Sequence, residues 1–230
     1  MKRLRLFAAA SAAMMLMMVF AVSCTKPNVE HEYVDLGLPS GTLWATCNIG
    51  ATTPEGYGDY FAWGETKAKS VYNWETYKYA KGYFDVYPLL TKYCTDDYYG
   101  NIGFVDNLTL LQPRDDAATA NWGRDWRMPT FEEWKELREN TTRIWTTQNG
   151  VDGKLFTGPN GNTLFLPAAR LQKEDTNFNY SFGSYWSSTL QEWGPNCAII
   201  FAFEERESDH EISSYYRCYG LSVRAVRCAK

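Results

Sequence analysis

The clearest hydrophobic pattern in the chain lies in Gly123 to Asn140, GRDWRMPTFEEWKELREN. Phe131, Trp134 and Leu137 recur every three residues and fall on one face of a helix. Thr130 followed by Glu133 reads as a capping box, and Glu132 and Glu133 place negative charge in the first turn, where the helix dipole favours it. Pro129 keeps the residue before it extended, and Asn140 is the expected stop. Trp122, Trp126 and Met128 lead in from an extended segment, so approach and helix are expected to bury one aromatic cluster. Elsewhere the pattern is that of strands. Val34, Leu36 and Leu38 alternate, Pro39-Ser40-Gly41 turns, and Thr42 to Cys47 forms a second short strand. After the helix, strands are expected over Arg143 to Gln148, Lys154 to Thr157 and Asn162 to Leu166, with turns at Asn149-Gly150 and Gly158-Pro159-Asn160-Gly161. Tyr185 to Thr189, Cys197 to Phe203 and Gly220 to Arg227 complete the set. The fold class is therefore α+β, mostly antiparallel sheets with one or two short helices.

The first 23 residues have a different character. Lys2, Arg3 and Arg5 precede an apolar run from Leu6 to Val22, and Ala21-Val22-Ser23 leads into Cys24. A membrane-spanning helix is the competing reading of such a run. Small residues before a cysteine, with polar residues after it, favour a cleaved lipoprotein signal over residues 1–23. Cys24 is then the lipidated first residue, residues 24–32 a tether, and residues 33–230 one domain. The lipid anchors the chain to a membrane, expected to be the outer membrane of the cell envelope, without spanning it. Losing residues 1–23 leaves 20 basic residues against 27 acidic, a net charge of about −7. That surplus argues against a nucleic-acid partner, which needs a basic surface.

Cys47, Cys94, Cys197, Cys218 and Cys228 remain. Their odd number and spacing fit one or two structural bridges or simply buried thiols, and none is spaced as a zinc site. Between Tyr57 and Tyr99, 14 of 43 residues are aromatic, which a disordered loop would lack, so the excursion from Gly50 to Pro113 is expected to fold onto the domain. Aromatics fill cores by default, and Tyr60, Phe61 and Trp63 are expected inside. Tyr72, Trp74, Tyr77 and Tyr79 lie in a polar run with Lys67, Lys69, Asn73, Glu75 and Lys78. They are the candidates for an exposed, ligand-binding surface.

Catalytic signals are thin. His31 falls in the tether and His210 in an acidic loop, Glu204 to Glu211. No GxSxG or HExxH is present, and no carboxylate pair stands out. The expectation is a non-enzyme without a cofactor, a structural calcium being the alternative. Asp175, Asn177 and Asn179 alternate as calcium ligands do, but Tyr180 and Trp186 stand where an EF-hand loop needs Gly and Glu. Asp115, Asp116, Asp96 and Asp97 are the other metal candidates, although Asp115-Asp116 also suits a cap for the turn at Ala117 to Ala120.

Six motifs carry a resemblance: VDLGLPSGTLWA (34–45), GDYFAWGE (58–65), DDAATANWG (115–123), WRMPTFEEW (126–134), YWSS (185–188) and SVRAVR (222–227). Together they resemble the Fibrobacter succinogenes major paralogous domain, found on secreted and lipid-anchored bacterial proteins. The WRMPT…EW helix and the closing VRAVR strand are also similar to the C-type lectin-like and formylglycine-generating-enzyme superfamily. That similarity implies paired terminal strands and a long irregular excursion of the kind that carries ligands. The enzyme branch works through cysteines that do not map onto Cys197, Cys218 or Cys228, and the Glu-Pro-Asn or Gln-Pro-Asp sugar motif of calcium-dependent lectins is absent. The resemblance thus implies a surface binding or adhesion module, with a glycan or surface protein as partner. A structural or assembly protein of the envelope is the second reading and an enzyme of another type the third.

Overall fold

The computed structural model describes residues 30–84, 87–173, 181–206 and 211–229. The expected signal segment, Cys24, most of the expected tether, the Asp175–Asn179 stretch and His210 lie outside the described residues.

The chain's first and last strands share a sheet. Strand β2 (Leu43–Asn48) lies between β1 (Tyr33–Asp35) and β13 (Arg224–Arg227), antiparallel to both, with Trp44 opposite Val34 on one side and Val226 on the other. The alternation through Leu36 and Leu38 does not extend β1. Asp35 accepts a bond from the Gly37 backbone N–H at 2.7 Å and Gly37 takes φ +70°, which turns the chain out of the ladder.

The central sheet has the order β11 (Ile212–Tyr216), β10 (Cys197–Glu204), β9 (Phe182–Leu190), β12 (Leu221–Ser222), β3 (Tyr60–Phe61). Every pairing in it is antiparallel except β12 with β9. Nearly all of β9 is buried because both faces of this sheet are covered. Trp186, Ala198 and Ile200 point into one core with Phe61, Trp63 and Trp126; Tyr185, Phe201 and Phe203 point into a second with Trp44, Trp134 and Phe156. The single strand expected over Gly220 to Arg227 is two. Val223 leaves the ladder between them, its carbonyl accepting from Ile49, and passes the chain from the central sheet to the terminal one. Strand β11 was not expected from the sequence, because ISSYY shows no clean alternation.

Helix α2 (Phe131–Asn140) matches its prediction. The Thr130 hydroxyl accepts from the Glu133 N–H, the Glu133 carboxylate accepts from the Thr130 N–H, and Trp134 and Leu137 are buried. Losing the cap hydroxyl would cost about 1 kcal/mol. Arg127 closes a bidentate pair with Glu133, at 2.5 and 2.6 Å, which fixes the approach to the helix. The expected single aromatic cluster is, however, divided. Trp126 and Met128 enter the first core and Trp134 the second. Trp122 belongs to a short helix, α1 (Ala117–Trp122), and stacks on His31 at 3.8 Å. The division arises because α2 lies across β9, donating from Trp134 Nε1 to the Trp186 carbonyl, so approach and helix sit on opposite sides of the sheet.

Strands β6 (Thr142–Gln148), β7 (Val151–Thr157) and β8 (Thr163–Pro167) form an antiparallel meander in that order. Asn149 and Gly150 take φ 49° and 82°, as a two-residue hairpin turn requires. Strands β4 (Ala80–Phe84) and β5 (Tyr87–Leu90) pair antiparallel as a hairpin in the excursion, which packs on the first core. Phe61 and Trp63 are buried in it and Tyr60 partly so, in line with expectation. Cys47, Cys94, Cys197, Cys218 and Cys228 are all free thiols.

Candidate functional site

Three of the four aromatics expected at the surface are inside. Tyr72, Tyr77 and Tyr79 are 6, 3 and 7 % exposed. The polar residues between them face outward, while each tyrosine hydroxyl finds a partner within. Tyr72 donates to the Tyr60 carbonyl at 2.5 Å and Tyr77 to the Trp63 carbonyl at 2.7 Å. Tyr79 donates to Asp115. Tyr77 also accepts from Arg217, a fully buried guanidinium whose other bonds go to the carbonyls of Lys92, Tyr93 and Pro195. The three carbonyls and the Tyr77 hydroxyl take four of the guanidinium's five N–H donors, with no carboxylate among these partners, and the Trp63 ring lies 5.0 Å from it.

Trp74 is the one of the four that is not buried. It is half-buried, edge-on to Tyr77 at 5.4 Å and to Tyr216 at 5.9 Å, and lines a cleft of about 350 Å³. Asn73, Glu75, Tyr83, Lys173, Tyr216 and Tyr219 complete the walls, with Cys218 and Tyr72 behind them. Glu75 accepts from the Tyr83 hydroxyl at 2.8 Å, and Lys173 lies 5.8 Å from the Tyr219 ring. Burial pushes the Cys218 thiol up to about 12 and that of Cys197 to about 11, so both stay protonated and poorly nucleophilic at neutral pH. The cleft offers ring faces and edges for stacking, with carboxylate, amide, ammonium and phenol groups beside them, the combination that binds amphipathic ligands. Tyr83, Tyr216, Tyr219 and Lys173 were not singled out in the sequence. They come from the β4–β5 hairpin, the end of β11 and the segment after β8, and no local signal joins them.

Asp115, Asp116 and Asp96, named as metal candidates, have carboxylates engaged within the fold. Asp116 caps α1, accepting from Thr119 and Met128 N–H groups at 2.9 and 2.8 Å. Asp96 accepts from the Tyr98 N–H at 2.9 Å, and Asp97 is exposed. Asp115 is 3 % exposed, and its carboxylate is shared among Lys78, Tyr79, Lys92 and Tyr93. Burial alone would raise its pKa, but the bonds from Lys92 and the two tyrosines outweigh this and hold it down to about 2. The ammonium groups of Lys78 and Lys92 beside this carboxylate oppose a second cation there, and its oxygens are already engaged by four donors. Among the described residues no three His, Cys, Asp or Glu side chains are grouped as a metal site would need.

Compared with known protein families, with characterised proteins and with solved structures, the chain matches none.

Proposed function

We propose that this chain is a lipid-anchored binding or adhesion module of the bacterial cell envelope, carried by Cys24 on the outer membrane, that holds a glycan in the Trp74 cleft and performs no catalysis. The cleft is the observation that carries the reading: a half-buried Trp74 with Tyr83 and Tyr216, each 43 % exposed, around about 350 Å³. Stacking of a sugar face on these rings, with hydrogen bonds to Glu75 and Asn73, would supply affinity. The motif resemblance and the pairing of β2 with β13 support assignment to the Fibrobacter succinogenes major paralogous domain and to a C-type lectin-like fold.

The test is a glycan array on the full chain in neutral detergent, followed by isotherms for the wild type and Trp74→Ala. Trp74 contacts Tyr77 and Tyr216, so the change is expected to cost about 1–2 kcal/mol of stability without unfolding the domain. Affinity should fall at least tenfold, about 1.4 kcal/mol. Unchanged affinity for every glycan bound by the wild type refutes the reading. The burial of Tyr72, Tyr77 and Tyr79 favours one alternative, a structural envelope protein whose excursion is core. An array without a single hit on a folded chain would select it.

A further inference from the structure

A second group of side chains gathers where the two ends of the β4–β5 hairpin meet the turn before α1. Lys78 and Tyr79 precede the hairpin, Lys92 and Tyr93 follow it, and Arg114 and Asp115 lie in the turn at Pro113–Asp115. Three cations converge on one carboxylate: Lys92 contacts Asp115 directly, Lys78 lies 3.2 Å from it and Arg114 3.9 Å. Asp115 has no capacity to neutralise them all. Its Oδ1 already accepts from Lys78 and Tyr79, and its Oδ2 from Lys92 and Tyr93. Gln112 Oε1 accepts from both Lys92 and Arg114, at 2.8 and 2.9 Å, which holds those two side chains together. None of the three cations has a second carboxylate among the described residues, so the group carries a surplus of two positive charges on a chain of net negative charge. Lys78 and Arg114 are 51 and 74 % exposed and retain N–H donors beyond those used.

We propose that Lys78, Lys92 and Arg114, gathered over Asp115, form an oxyanion site that takes the carboxylate or sulfate groups of an acidic polysaccharide. The oxyanion part stands on this geometry. The polysaccharide part rests on the reading of the Trp74 cleft, from which one buried ring separates the site: Tyr77 contacts Trp74 at 5.4 Å and Tyr79 at 6.0 Å. Lys92 and Gln112 fix the frame, Lys78 contributes a movable ammonium, and the Arg114 guanidinium can meet a carboxylate or sulfate with two parallel bonds.

The experiment measures binding of the full chain in neutral detergent to polygalacturonate, dextran sulfate and uncharged dextran, at about 50 and 200 mM salt. The test variant is Lys78→Gln/Arg114→Gln. The control, Lys135→Gln/Arg138→Gln, removes the same charge from α2. Binding to polygalacturonate or to dextran sulfate, weakened by salt and reduced at least about tenfold in the test variant but not in the control, supports the site, and the preferred polymer names the group it takes. Absence of binding to both polyanions at low salt overturns it, as does equal loss in the two double variants, which would mean bulk charge alone. Loss of the anion site with Trp74-dependent binding of a neutral glycan intact would leave the cleft reading standing.

Discussion

Trp134→Ala removes the side chain that joins α2 to the central sheet. Trp134 is 1 % exposed. Its ring stacks on Phe201 at 4.7 Å with 4° between planes, tilts against Trp44 at 4.7 Å, and lies 5.9 Å from Tyr185. Burial of about 200 Å² of ring surface at about 25 cal/mol per Å² corresponds to about 5 kcal/mol, of which the alanine retains a small part. The cavity left between Phe201 and Trp44 adds to the cost. The Trp186 carbonyl also loses its bond from Nε1, 3.2 Å in the wild type. The measured range for deleting a large core aromatic is about 3–5 kcal/mol, and the lost bond places this site in its upper half. For a domain of this size the melting temperature should fall by about 8–20 °C, at about 2–4 °C per kcal/mol. The assay is denaturant unfolding of the full chain, followed by tryptophan fluorescence and far-UV circular dichroism, with m unchanged from wild type. Trp134→Phe keeps the stack on Phe201 and loses only the Nε1 bond and part of the ring, so its cost should be about 1–2 kcal/mol. A Trp134→Ala shift below about 1 kcal/mol would refute the placement of this face of α2 in the second core.

Two further outcomes are expected. Asp115 has its pKa lowered in the folded state, so its stabilisation is present above the ordinary carboxylate range and is lost as pH falls from about 4 toward 2. Asp115→Asn should be less stable than wild type at pH 7, and the gap should close over that interval; a gap independent of pH contradicts the charge cluster as the source of the stabilisation. Cys24→Ala should abolish incorporation of labelled fatty acid and release the chain from the membrane fraction in a bacterial host. Persistent membrane association of that variant, with residues 1–23 retained, would identify a spanning signal anchor instead.

Features specified by neighbouring residues could be read from the sequence. The capping box joins Thr130 and Glu133, three residues apart, and the hairpin at Asn149-Gly150 needs only two residues that tolerate positive φ. The burial of Trp134 and Leu137 followed from helical spacing alone. The burial of Tyr72, Tyr77 and Tyr79 did not, because a polar run looks the same whether its tyrosines point out or in. The deciding partners are remote: Tyr77 is held by Arg217, 140 positions away, and Tyr79 by Asp115, 36 positions away. Likewise Trp74 needs Tyr216 to make a cleft, and Lys78, Lys92 and Arg114 become one charged group only when the hairpin closes against the turn before α1. Sequence alone thus determined the capped helix, the strand-rich framework and the aromatic excursion folded onto it, since those follow from local backbone preference and hydrophobic periodicity. Tertiary structure decided which rings are core, which one lines a cleft and where charge accumulates, because burial and electrostatic partnership depend on atoms that only the folded chain brings together.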